Sequence, residues 1–410
     1  MRSEPLIPNI PGLRRDLLAM GLLATTSTFA MGLLTPILPM HLDAIGIDAR
    51  TIGLLFSVAA VATAIGEFSW GWAIDRVHLR LPMAVGTAGL ACVLLAFACT
   101  RSVPLLFTLF FLRGVTFVGT VPASRGFVGS TMAAHQKALF LALYTTTLGI
   151  GRTLGSFSGG LIAKEWGYVA AFIACSAIVL GISAIGLPLL RASRLTHYAY
   201  QMVSLPGWQV QHQARSGPAD TASYKAQGLI AMLTFVPVGV ALTFIPLLAK
   251  KVLLLQPSDV GMIFAISGLV SIFFTVPMGR LSDRYGRRPF MATGLAIVGA
   301  SLIGMSFAGN AQTLLLFMML NAFGTAIFSP SAVALLSDSA PPGKQGVAMG
   351  LYGLCEDVGI IVGPAIGGVL WEGLGPAPTF WFGGTPTFLA AVIALTAIRR
   401  RAPETAIATR

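Results

Sequence analysis

Charge is scarce in this chain. Only 10% of its 410 residues are Asp, Glu, Lys or Arg, against about 25% in soluble domains, which must cover themselves with hydrated groups. With too few charges to clothe a water-facing surface, the chain has lipid as its solvent. Cysteine is scarce as well. Cys92, Cys99, Cys175 and Cys355 stand in apolar runs with no paired spacing and no neighbouring His, which argues against a disulfide framework and against a metal site. No nucleophile constellation or phosphate-cradling loop is found either, so nothing points to an enzyme or to a cofactor. The balance of 27 Lys and Arg against 15 Asp and Glu would suit nucleic acid if the cations were clustered. They are spread over short loops, which argues against a nucleic-acid partner.

What the chain does have is apolar length. Twelve runs of about 20 residues, enough for a helix to cross roughly 30 Å of hydrocarbon, fall near 17–41, 51–74, 83–100, 104–127, 138–162, 167–190, 227–249, 257–279, 290–308, 313–336, 346–370 and 377–398. The first is too long for a signal-peptide core and no small-residue cleavage site follows it, so it is read as a span. Cytoplasmic loops retain Lys and Arg. With the N-terminus inside, 19 of the cations fall on the inner side and five on the outer (Arg50, Arg101, Lys164, Lys250, Lys251). Arg113, Arg125 and Arg152 fall within spans. Both termini are therefore expected in the cytoplasm, with the chain in a plasma membrane, the inner one in a bacterium.

A shift of 208 residues lays the first half on the second without a gap from about residue 51 to 167. Asp75 meets Asp283, Arg76 meets Arg284, Arg80 meets Arg288, Pro122 meets Pro330 and Tyr144 meets Tyr352. Glycines match at the same offset, but a glycine-rich chain produces such matches by chance, and Asp, Arg, Pro and Tyr carry the inference. The predicted organisation is a six-span half over 1–190, a polar cytoplasmic linker over 191–226 and a second six-span half over 227–410. Two parallel halves with a site between them are an architecture of secondary transporters.

Between the eighth and ninth runs stands "GRLSDRYGRRP" (279–289). Gly279 permits close helix approach, Asp283 suits a neighbouring helix N-terminus, and Arg284, Arg287 and Arg288 can pair with it or with lipid phosphate. Gly286 completes the spacing. Such a cluster can act as a conformational latch on the inner side; the plainer reading is a positive-inside loop. Its first-half copy is "GWAIDRVHLR" (71–80), with Gly71, Asp75, Arg76 and Arg80, and His78 where the second copy has Gly286.

Here the chain resembles the major facilitator superfamily, whose loop after the second span carries G-x-x-x-D-R-x-G-R-R/K, with another copy after the eighth. The resemblance covers essentially the whole chain. It implies an all-α membrane protein of twelve transmembrane helices in two pseudo-symmetric six-helix bundles. It is most like the twelve-helix drug:proton antiporter type. "GIIVGPAIGG" in the eleventh span (Gly359, Gly363, Pro364, Gly367, Gly368) fits the family's G-x-x-x-G-P-x-x-G-G pattern throughout. "GRTLGSFSGG" in the fifth (Gly151, Gly155, Gly159, Gly160) fits except for Ser156 in place of proline. Glycines at i and i+4 make a smooth face on which a partner helix packs and rocks, and proline bends its helix. Tight packing alone is the plainer reading. In the family the fifth-span version goes with proton-driven exporters. "LRGVTFVG" (112–119) is similar to the family's fourth-span pattern implicated in proton transfer, with Arg113 and Gly119 matching.

Charges inside a membrane mark a pathway or a pair. Glu67, Arg113, Glu356 and Asp357 are the proton-coupling candidates; a permanent ion pair is the alternative use for Glu67. Consecutive helical residues point about 100° apart, so one of Glu356 and Asp357, not both, faces a cavity squarely. Thr28, Tyr144, Arg152, Phe235, Asn321 and Phe328 are substrate-cavity candidates, although hydroxyls in membrane helices often bond back to their own backbone. The function expected is proton-coupled export of a small amphipathic or hydrophobic compound by alternating access, by a monomer surrounded by lipid. The rivals are an importer or exchanger of an organic anion held by Arg113 and Arg152, and a scaffold or sensor that moves nothing.

Overall fold

The computed structural model describes residues 13–74, 77, 78, 80–120, 124, 134–190, 221–339 and 345–397. Asp75 and Arg76, and 191–220 of the predicted linker, lie outside the described residues. Among those described there are eleven helices and no strand: α1 (Leu13–Ala44), α2 (Ala49–Ile74), α3 (Arg80–Cys99), α4 (Val103–Val118), α5 (Ala134–Leu189), α6 (Thr221–Lys251), α7 (Pro257–Tyr285), α8 (Arg287–Met305), α9 (Ala311–Ser339), α10 (Gln345–Leu374) and α11 (Pro376–Thr396). Helix α5 breaks at Gly167, where φ is +83°. It therefore holds the fifth and sixth spans, and the described chain has twelve helical segments. Ten helices are long and apolar enough to cross a membrane, and α4 is shorter at 16 residues.

The backbone repeats as the sequence does. Helices α2 and α7 begin at 49 and 257, and α4 and α9 at 103 and 311, each pair at the sequence's own offset. The left-handed turn at Gly167 recurs at Gly375 (φ +89°), and that at Gly46 (φ +87°) recurs at Leu254 (φ +53°). Leu254 is the only described non-glycine residue in that region, at a cost of about 1–2 kcal/mol for an L-residue. Its side chain is exposed, so little packing offsets the strain. Leu254→Gly is expected to gain about 1 kcal/mol, reduced somewhat by glycine's greater unfolded entropy, and thermal unfolding in detergent checks the sign.

Helix starts are fixed locally. Asp48 Oδ2 accepts the Thr51 N–H at 2.9 Å at the head of α2. Partial burial pulls the Asp48 carboxyl up, but the bonds from Thr51 more than offset this and hold it below the usual carboxylate range. Asn310 and Thr313 form a reciprocal box at the head of α9, at 2.9 and 3.2 Å. Within the spans most hydroxyls bond back one turn, as Thr28 does to the Thr25 carbonyl and Ser57 to that of Gly53.

Packing separates two compact units, Met1–Ala214 with Leu242–Gly268, and Arg215–Ala241 with Leu269–Arg410. In the first, Phe56, Phe110, Phe97, Phe172 and His41 form a continuous run of ring contacts with centroids 5.1–6.2 Å apart. In the second, Ile230, Met291, Leu295, Phe328, Ala332 and Ala390 form a core drawn from α6, α8, α9 and α11.

Candidate functional site

The glycine pattern of the fifth span seats it on the first. A Cβ on Gly151 would lie 2.7 Å from the Thr25 carbonyl, one on Gly155 would overlap the Phe29 carbonyl, and one on Gly159 would lie 2.6 Å from Leu33 Cγ. Helix α10 repeats this against α6. A Cβ on Gly359 would overlap the Met232 carbonyl, and one on Gly363 would lie 2.5 Å from that of Val236. Gly239 makes the room in α6 for the ring of Pro364. Gly367 and Gly368 are buried, and the Gly367 carbonyl accepts the Thr379 hydroxyl at 3.2 Å.

Ser156 stands at the equivalent of Pro364, and its hydroxyl donates to Gly32 O at 2.9 Å and to Arg152 O at 3.1 Å. A proline would remove the backbone bond and bend α5. Serine keeps it and adds a bond across to α1, of a kind worth about 0.6 kcal/mol between membrane helices.

Tyr144, Leu148, Gly151 and Gly155 are all buried, along one stripe of α5. A second stripe of α5, Thr153, Ser156 and Gly160, meets α7: Gly160 abuts Gly261, and Gly268 abuts Thr153. At about 100° per residue, position 152 falls between the two stripes of α5, and Arg152 is exposed as a residue. On α10 the corresponding stripe is Tyr352, Glu356, Gly359 and Gly363, so Glu356 takes the place of the buried Leu148. Glu356 is half-buried on the glycine-faced side, and Asp357, also half-buried, is turned about 100° away. Glu67 is exposed on α2. All three acids take part in polar or electrostatic interactions. The Arg113 guanidinium lies over the Phe56 and Phe110 rings, 5.5 and 5.4 Å from their centroids.

The other cavity candidates divide. Tyr144 is buried and Phe235 half-buried beside Gly359, and Thr28 bonds back to its own helix. Phe328 packs in the core of its unit. Asn321 donates to Ser301 Oγ at 3.0 Å, tying α9 to α8.

The arginine motif at 279–289 also resolves into separate tasks. Arg287 Nε lies 3.0 Å from Asp283 Oδ1, one turn back and well exposed, a pairing worth a few tenths of a kcal/mol. Arg284 lies over the Tyr285 ring at 5.5 Å. Gly286 needs its freedom at φ +102°, and His78 at the equivalent position has no such φ. Gly279 lies beside Pro330, where a methyl would make ordinary contact at 3.5 Å. Gly71 lies in α2. The last arginine of each copy caps a span. Arg288 Nε donates to Ala394 O at 3.0 Å, in the last turn of α11. Arg80 Nε donates to Leu190 O at 2.5 Å just past α5, where Arg15 also reaches Leu189 O. These carbonyls lie at helix C-terminal ends, where a cation meets the negative end of the dipole. Arg288→Ala is expected to cost about 1–2 kcal/mol, with Arg288→Lys intermediate because an ammonium keeps the charge and loses the fork. Thermal unfolding of the three proteins ranks them.

Sequence reasoning missed the pairing of Asp43 with Lys250 and Lys251, at 2.7 and 2.9 Å. Their positions held a signal, because 43 and 251 stand at the repeat offset.

The sequence profile of the Major Facilitator Superfamily matches residues 20–202 and 228–409. The chain belongs to that superfamily. It is a membrane transporter of small molecules and not an enzyme. Among its relatives, this facilitator is 23% identical over 381 residues to a Klebsiella pneumoniae protein named multidrug resistance protein MdtG, with 92% of this chain and 91% of that protein covered. It is 24% identical over 355 residues to a Lactococcus lactis homolog of the multi-drug resistance efflux pump PmrA, covering 83% and 84%. Its fold matches a bacterial homolog of the human lysosomal transporter Spinster in an inward-facing, occupied conformation, with TM-score 0.73 at 13% identity over 95% of this chain and 96% of that one. It also matches the nucleoside transporter NupG, with TM-score 0.71 at 14% identity over 93% and 98%.

Proposed function

We propose that this facilitator exports a small amphipathic or hydrophobic compound in exchange for protons, by alternating access of its two six-span halves. It works as a monomer in a bacterial inner membrane with both termini in the cytoplasm. The observation that carries the reading is the stripe Tyr352, Glu356, Gly359 and Gly363: a carboxylate stands where the repeat-equivalent helix has a buried leucine. Glu356 there can exchange a proton and have its charge state felt by the packing of α6 on α10. Asp357 and Glu67 add negative charge along the path, and Arg113, held over two rings, opposes it. Arg152, Thr28, Tyr144 and Phe235 are the side chains assigned to the substrate. Asn321 and Phe328 serve packing. The relatives named for multidrug resistance support export and an amphipathic cargo.

A second reading, exchange of an organic anion, draws on Arg152 of α5, whose guanidinium is a ready partner for a carboxylate. One transport experiment separates the two. In everted vesicles holding an acid lumen, a neutral or cationic amphipathic dye is expected to accumulate only while the gradient lasts, and its addition to raise the luminal pH. Accumulation of an aromatic carboxylate instead, with no luminal pH change, would favour the anion reading, and no gradient-dependent flux of either would refute proton-coupled export.

A further inference from the structure

One end of the first span is fastened to one end of the seventh. Lys250 Nζ lies 2.7 Å from Asp43 Oδ2 and donates to the Met40 carbonyl at 2.9 Å. Lys251 Nζ lies 2.9 Å from Asp43 Oδ1. Both oxygens of one carboxylate are therefore engaged by two ammonium groups, with 14% of the Asp43 side chain exposed. Partial burial makes such pairs less subject to salt than surface pairs. Behind them the backbones close up. Gly160 and Gly261 meet so that a Cβ on either would come within 3.0 Å of the other's Cα, and Ser258 is buried beside them. Two turns of α7 further along, Gly268 meets Thr153. All these residues belong to one compact unit, which gathers Leu242–Gly268 of α6 and α7 onto α1 and α5.

Two features set this apart from chance surface pairing. Asp43 and Lys251 occupy positions equivalent under the repeat, so the two copies of one helix end carry opposite charges and face each other across the pseudo-symmetry. The doubled glycine of α5 is split between neighbours, Gly159 against α1 and Gly160 against α7. A path that opens beside this end must part residues 242–268 from α1 and α5, and the ion pairs with the Lys250–Met40 bond are polar contacts that parting breaks.

We propose that Asp43, Lys250 and Lys251 form a charged clasp on the outer face, which holds the outer mouth shut until the transport cycle opens it. The clasp is distinct from the arginine motif of the opposite face. It rests on the reading of the chain as an alternating-access transporter with cytoplasmic termini.

The test uses the full chain with its four native cysteines replaced by alanine and Ser258→Cys as reporter. A membrane-impermeant maleimide is applied to right-side-out and to everted vesicles, without substrate. The parent is expected to label slowly. Asp43→Asn, and Lys250→Gln with Lys251→Gln, are expected to label severalfold faster. Asp43→Lys with Lys251→Asp, which restores an opposite pair, should return toward the parent rate and shows that the fold survives. Equal rates in the parent and Asp43→Asn would overturn the clasp. So would an exchanged pair that labels as fast as Asp43→Asn. The face from which label arrives tests the orientation separately, and dye flux in the same vesicles tests transport, so either reading can fail alone.

Discussion

Gly155→Ala and Gly363→Ala are each expected to abolish most of the folded transporter, although each adds a single methyl. At Gly155 the new carbon would overlap the Phe29 carbonyl and come within 2.9 Å of the Leu33 nitrogen, and at Gly363 it would lie 2.5 Å from the Val236 carbonyl. These neighbours are backbone and cannot turn aside as a side chain would. The helices must part along the whole stripe, and the cost exceeds the roughly 1–3 kcal/mol of ordinary overpacking. Gly181→Ala makes the control, because its methyl would meet nothing within 4 Å. There alanine is expected to be neutral or to gain about 0.5–1 kcal/mol from helix propensity. Monodisperse yield on size-exclusion chromatography, with the midpoint of thermal unfolding, reads all three. Equal loss in Gly181→Ala would show that the membrane helices tolerate no added methyl anywhere, and close approach would lose its special place.

The second large effect concerns the acids of α10. Glu356→Gln is expected to leave substrate exchange across the membrane intact while gradient-driven accumulation falls by the factor that coupling supplies, about 5–150-fold for a coupling free energy of 1–3 kcal/mol. Asp357→Asn is expected to lower affinity more than coupling, since Asp357 lies off the packed stripe. Counterflow measured without a pH gradient, beside uptake measured with one, separates the two outcomes. Full gradient-driven accumulation in Glu356→Gln would remove that residue from the coupling step.

The spans and the repeat were legible because both rest on patterns that survive one-dimensional reading. Hydropathy marks length, and a constant offset of Asp, Arg, Pro and Tyr marks duplication. The recurrence of a left-handed glycine at 167 and 375 repeats in the backbone what the side chains announced. What did not read out was partnership. Arg80 and Arg288 were evident as equivalents, but their acceptors are carbonyls at 190 and 394, and a carbonyl carries no sequence signal. Ser156 stood out as a departure from a proline pattern. Its use depends on Gly32 presenting a bare backbone to it, which only the packing of α5 on α1 reveals. Lys250 and Lys251 entered the sequence reading as cations to be counted for topology, because a loop census weighs sign and side and ignores the acid that faces them. Asn321 stood out for its rarity in a span, and its bond to a serine of the adjacent helix carries no sequence signal either.

Proton exchange coupled to substrate binding is tested most directly by adding an amphipathic dye to the purified transporter in weakly buffered detergent and following pH with an indicator. Binding is expected to release protons, and the release is expected to vanish in Glu356→Gln while dye still binds. Dye binding with no proton release in the unmodified protein would contradict it.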